Sequence, residues 1–151
     1  IADTPLDSVL IIGCDTILEL DGHPHNKPMD AAQARARWAQ MAGRVGTLHT
    51  GHTVILHRPD RPDVTRDHVA TAQVQFGRPT DAEVDAYIAS GEPLRVAGAF
   101  TLEGLGGAFI EHIEGTPSAI EGLSLPALRA MLADAGIIWT DLWQVSERNA
   151  S

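Results

Sequence analysis

Two consecutive runs, RVGTLHTGHTVILH (44–57) and DHVATAQVQFG (67–77), constrain this chain most. In the second, Ala70, Ala72, Val74 and Phe76 alternate with polar neighbours, the period-two pattern of a half-buried strand. The segment RPDRPD (58–63) between them reads as a loop. Strands joined by so short a connection pair antiparallel, because a parallel return needs a crossover of about a dozen residues or more. A regular βαβ winding is therefore excluded.

Helical patterns flank this pair. In MDAAQARARWAQMAGR, Asp30 is placed to cap a helix over 30–42, with Ala31, Ala34, Trp38 and Met41 on one face and Gly43 as its stop. In PTDAEVDAYIASG, Thr80 and Glu83 form a capping box, Val84, Tyr87 and Ile88 the apolar stripe, and Gly91 the end. SLPALRAMLADAG is a last helix capped by Ser124, with Leu125, Leu128, Met131 and Leu132 inward. Residues 9–14 read as a buried strand from their continuous apolar run, followed by a short bend, a second strand over 16–20, and the turn DGHPHN. AFIEHIEG (108–115) adds another strand. The order indicates an α/β (α+β) domain around a mixed sheet. It occupies 1–138 as a single domain, with 139–151 as a C-terminal tail of no clear periodicity.

Composition narrows the function classes. The 151 residues carry a formal charge of −9, against nonspecific nucleic-acid or anionic-membrane binding, which needs a cationic surface. One cysteine excludes an internal disulfide framework and any Cys-cluster zinc site, and suits a reducing cytoplasm. No apolar run approaches a membrane span, and no leader is visible, although the chain begins at Ile1 rather than Met.

Several residues invite chemistry. Asp15, in VLIIGCDTILELDG, is a carboxylate between two strand-like runs. It is either a turn former or a group held on a rigid element as general base or metal ligand. Lys27 is the only lysine, the other ten basic residues being arginine. It is either a solvated turn residue or a point charge for phosphate returning to the cleft of Asp15. His49 and His52 are three apart on a strand, so they point to opposite faces and do not converge on a metal. His23 and His25 share a face but lie in a turn beside Pro24. EGLGG (103–107) lacks the Lys-Ser/Thr of a P-loop and reads better as backbone in close approach, with Glu103 a second carboxylate in loop context. No Gly-x-Ser-x-Gly elbow is present, and Cys14 has no obvious histidine partner.

Taken jointly, Gly13–Cys14–Asp15–Thr16, Gly22, Lys27–Pro28, the helix from Asp30, Ala42–Gly43–Arg44 and His49–Thr50–Gly51 resemble the Maf family of nucleoside triphosphate pyrophosphatases. Glu92, Ala97–Gly98, Glu103–Gly104 and the IEG…GLSLP ending continue the match, which covers about residues 8–136. The resemblance implies a Maf/ITPase-like mixed twisted sheet flanked by helices. It implies hydrolysis of non-standard or pyrimidine nucleotides between the α and β phosphates, with a divalent metal, Mg²⁺ or Mn²⁺. Asp15 then matches the proton acceptor and metal ligand, Lys27 the phosphate-facing cation, and Thr16 and Glu103 the positions that sort substrates. One branch has Lys and Gln where this chain has Val96 and Glu103, and Thr16 resembles a different branch from Glu103, so the base stays open. The family's Ser-x-Ser-Pro-Arg-Arg loop and first strand have no counterpart, which points to a fragment. A homodimer is the family expectation. The alternative is a non-catalytic nucleotide-binding regulator of septum formation and cell division.

Overall fold

The computed structural model describes residues 8–143. Five strands form one sheet in the order β2-β1-β3-β4-β5, comprising β1 (Val9–Leu20), β2 (His23–His25), β3 (Val45–Arg58), β4 (Arg61–Phe76) and β5 (Ile110–Gly115). Four helices accompany it: α1 (Ala31–Met41), α2 (Asp81–Ala89), the single turn α3 (Pro117–Ile120) and α4 (Leu125–Asp134). The α/β expectation holds, and all four pairings among the described strands are antiparallel.

Both tight hairpins follow from turn chemistry. Leu20 pairs with His23 around Asp21–Gly22, and both turn residues have positive φ (54° and 76°). That is the type I′ requirement which Asp-Gly meets at little cost. Arg58 pairs with Arg61 around Pro59–Asp60, with a register shift beside it. The loop expected over 58–63 is therefore a two-residue turn, and Pro62 lies inside β4.

Register and alternation divide the sheet into two faces. Leu18, Leu20, Leu48, Ala72, Val74 and Phe76 lie on one face and pack with Ala34, Trp38 and Met41 of α1 and Val84, Tyr87 and Ile88 of α2. Val54, on the same face, packs with Leu128, Met131 and Leu132 of α4. Trp38 is the hub: its ring makes edge-on contacts with Phe76, Tyr87 and Phe109, and its indole N–H donates to the Ala99 carbonyl at 2.9 Å. The opposite face carries Ile17, Val45 and Val69 exposed.

Four local expectations are corrected. Val9–Leu20 is one continuous strand without a bend. Its first half is not buried: Ile11 is 51% and Ile12 41% exposed, because from Val9 to Ile17 β1 has a strand partner on one side only among the described residues. His23–His25 is a short paired strand rather than part of a turn. Ala31 and Leu125, both expected inward, are exposed, each being the first residue of its helix, while Arg37 is buried in α1. The helix caps match expectation: Asp30, Thr80 and Ser124 each accept from a backbone N–H, and the Thr80–Glu83 box is complete. Within the tail, Trp139–Trp143 form a 3₁₀ turn, and residues 144–151 lie outside the described ones. No described helix is long and apolar enough to cross a membrane.

Candidate active site

A cleft of about 400 Å³ opens where the middle of β1 faces the segments 96–103 and 120–123. Asp15, Thr16 and Glu103 all line it, so the fold brings together three of the four residues singled out by sequence. Thr16 shares the covered face with Leu18, and Asp15 alternates to the other side. Asp15 also borders a shallower groove across the open face with Gly51, Thr53 and Asp67. Its position on the open stretch of β1 gives it access to both hollows. Asp15 Oδ1 accepts the Thr16 backbone N–H at 2.9 Å, which fixes the carboxylate's orientation. Oδ2 has no partner among the described residues.

The Thr16 hydroxyl is oriented by a buried relay. Thr50 Oγ1 donates its one proton to the Ala119 carbonyl at 2.7 Å. The 3.0 Å contact between Thr16 Oγ1 and Thr50 Oγ1 can therefore be donated only by Thr16. Thr16 is left with acceptor lone pairs alone toward the cleft. Thr50 is fully buried, so its end of the relay is shielded from solvent.

Glu103 is placed by a residue that sequence reasoning gave no role. Glu92 accepts from the Thr101 hydroxyl on one side of Glu103, and from the Leu105 and Gly106 N–H groups, each at 3.0 Å, on the other. Burial pushes the Glu92 carboxyl up, but these bonds and one from Tyr87 outweigh it and hold it down at about 2. Burial is also the main reason the Tyr87 phenol is pushed up to about 12, and its oxygen accepts the Thr101 N–H at 3.2 Å. The loop's glycines answer to this packing. A Cβ on Gly106 would sit 2.4 Å from the Tyr87 hydroxyl oxygen, and one on Gly104 2.7 Å from the Glu92 carboxylate. The Gly-rich run is thus a site of close backbone approach, as its sequence suggested, to Glu92 and Tyr87.

Lys27 is exposed between β2 and α1 and is not among the residues lining the cleft. The residue before it is anchored, because Arg37 Nη1 donates to the Asn26 carbonyl. The histidines behave as their spacing required. His49 Nε2 meets Glu19 on the open face, whereas buried His52 accepts the Ser124 N–H through Nε2 at 2.9 Å. No three His, Cys, Asp or Glu converge as a metal cage among the described residues. Cys14 is exposed at the cleft. A further carboxylate, Glu121, also lines the cleft. It follows a four-residue helix that no apolar period could reveal.

Comparison with known proteins identifies the family of the chain. The family model described as Maf-like protein matches residues 2–135. A protein of Streptomyces coelicolor named nucleoside triphosphate pyrophosphatase is 50% identical over 149 residues, covering 97% of this chain and 69% of that protein. A protein of the same name from Nocardia farcinica is 49% identical over 135 residues, covering 89% of this chain and 64% of that protein. One from Streptomyces avermitilis is 46% identical over 147 residues, covering 97% and 70%. The chain thus spans about two thirds of the length of these relatives. With the family match running over most of its length, the chain belongs to the Maf-like family.

Proposed function

We propose that the protein hydrolyses nucleoside triphosphates between the α and β phosphates, releasing a nucleoside monophosphate and pyrophosphate. The observation that carries this reading is the meeting of Asp15, Thr16 and Glu103 in one cleft, in a chain about half identical to proteins named for that activity. In this reading Asp15 is the general base. Its Oδ1 is held by the Thr16 N–H, and the free Oδ2 takes a proton from water as the water oxygen attacks phosphorus and the bridging P–O bond breaks. Lys27, on an exposed and anchored loop, is the cation that meets the phosphates. Thr16 and Glu103 contact the base.

The donor set at Asp15 fits a divalent cation. A carboxylate offers about four acceptor positions, of which one is taken by the Thr16 N–H. Mg²⁺ or Mn²⁺ is commonly bound through one or two carboxylates, with substrate phosphates and water completing the shell. Asp15 would hold it, and when bound it neutralises phosphate charge. The reading extends to a homodimer, the family expectation, and to the cytoplasm, the compartment that a single cysteine suits.

A panel of canonical and modified nucleoside triphosphates, incubated with Mg²⁺ or Mn²⁺ and resolved by chromatography, tests the reaction. The expected products are monophosphate and pyrophosphate in equal amounts, lost on chelation. Nucleotide binding without pyrophosphate would favour the regulator instead, and release of orthophosphate alone would contradict the bond assignment.

A further inference from the structure

We infer that Arg37, buried in α1, is the positioning residue for Lys27: it fixes the loop that carries this cation, and so sets how tightly the protein holds phosphate. This deepens the nucleotide reading above and rests on the place given there to Lys27. Arg37 is out of character for its helix face. It is only 8% exposed, on the side of α1 that also buries Ala34, Trp38 and Met41. A guanidinium carries five N–H donors and a permanent charge, so it is rarely buried without a carboxylate. Among the described residues Arg37 makes no ion pair, and its Nε has no hydrogen-bond partner. Asp81 and Asp85 of α2 pair instead with exposed Arg35. Burial pulls the Arg37 guanidinium below its ordinary value. An apolar side chain of similar length would cost the fold less. The one hydrogen bond that Arg37 makes among the described residues runs from Nη1 to the Asn26 carbonyl, directly before Lys27.

The other side of Lys27 is tied to the same helix. Pro28 is buried, and the residue before a proline is restricted to extended backbone, which limits Lys27. The Met29 N–H donates to Gln33 Oε1 at 2.8 Å, and the Gln33 N–H to Asp30 Oδ1 at 2.8 Å. On the N-terminal side the β1–β2 pairing ends at His25, so the Arg37 bond takes over where the ladder stops. Lys27 itself is exposed and has no hydrogen-bond or ion-pair partner among the described residues. A lysine ammonium is a point charge on a flexible stem, so its reach depends on where the backbone holds that stem. Ordering a loop on binding costs affinity, whereas a loop ordered beforehand avoids that cost. Arg37 thus makes a loop lysine behave as though it were mounted on α1, the more precise kind of support for a binding group.

A double-mutant cycle between Arg37→Met and Lys27→Ala, read by titration calorimetry with inorganic pyrophosphate and Mg²⁺, tests this without turnover. Arg37→Met removes the charge and the donor at similar length, and exposed Asn26 can bond water instead. Its urea-unfolding midpoint is therefore expected at or above that of the parent. Lys27→Ala is expected to weaken pyrophosphate binding about tenfold, the scale of one charged hydrogen bond. Arg37→Met is expected to lose most of that same factor, and the double variant to bind no more weakly than Lys27→Ala alone, because one residue acts through the other. The inference is overturned if Arg37→Met binds as the parent does, or if it weakens binding as much without Lys27 as with it. A lowered unfolding midpoint in Arg37→Met overturns it too, since Arg37 would then serve the fold. If Lys27→Ala binds as the parent does, Lys27 leaves the phosphates and the inference falls with it. Pyrophosphate release from triphosphates by the parent judges the nucleotide reading separately: continued release beside any of these failures leaves that reading standing, and no release sinks it whatever the cycle shows.

Discussion

Thr50 shows how much one buried hydroxyl can decide. It lies on β3 with its side chain fully buried, and it joins the Thr16 hydroxyl to the Ala119 carbonyl. Thr50→Val keeps the shape and removes the relay. The Ala119 carbonyl is then left buried without its donor, a loss of about 1–3 kcal/mol that urea unfolding would register. Thr16 would also regain a free proton, so discrimination between bases should weaken in the same variant. A variant as stable and as selective as the parent would show that the relay has no part in either. Asp15 was legible as a candidate from its place at the end of an apolar run, and Thr16 only through the family resemblance. The direction of the Thr16 proton was not, because it depends on a residue 34 positions away and a carbonyl 69 beyond that. Glu121 was invisible for a similar reason, since nothing local marks it.

At the scale of elements, the loop from 101 to 107 is held by Glu92 as a group. Its carboxyl lies at about 2, below the ordinary value of 4.5 for a glutamate. A depressed carboxylate contributes stability that is present above the ordinary value and is lost as pH falls through the folded one. The loop is therefore expected to loosen between about pH 4.5 and 2, and amide exchange at Leu105 and Gly106 would report it. Glu92→Gln keeps one acceptor oxygen and removes the charge, so it should raise exchange at both amides at neutral pH and abolish the acid dependence. Unchanged protection in that variant would remove Glu92 from its positioning role. Helix caps were legible because capping is local: Thr80 and Glu83 are three residues apart and complete their box. The first half of β1 was misread as buried because an apolar run reports hydrophobicity and not whether a neighbouring strand lies alongside.

At the scale of the molecule, the described residues form one antiparallel sheet with helices against one face, and the cleft lies where the open stretch of β1 meets the loops that close that face. The α/β class was legible because strand and helix periods differ and two strands follow each other directly. The detailed topology was less so, since the two-residue turn at Pro59–Asp60 and the hairpin at Asp21–Gly22 extend strands into segments that read as loops. The cleft itself gathers residues 14–16, 96–103 and 120–123, which only tertiary packing brings together. What unites these levels is the claim that the Asp15 carboxylate activates water at this cleft. Pyrophosphate release by the protein and by Asp15→Asn, compared side by side after circular dichroism shows the same fold, tests it most directly. The substitution is expected to lower the rate about 10²- to 10⁴-fold with little change in nucleotide binding. A rate within a fewfold of the parent would contradict it.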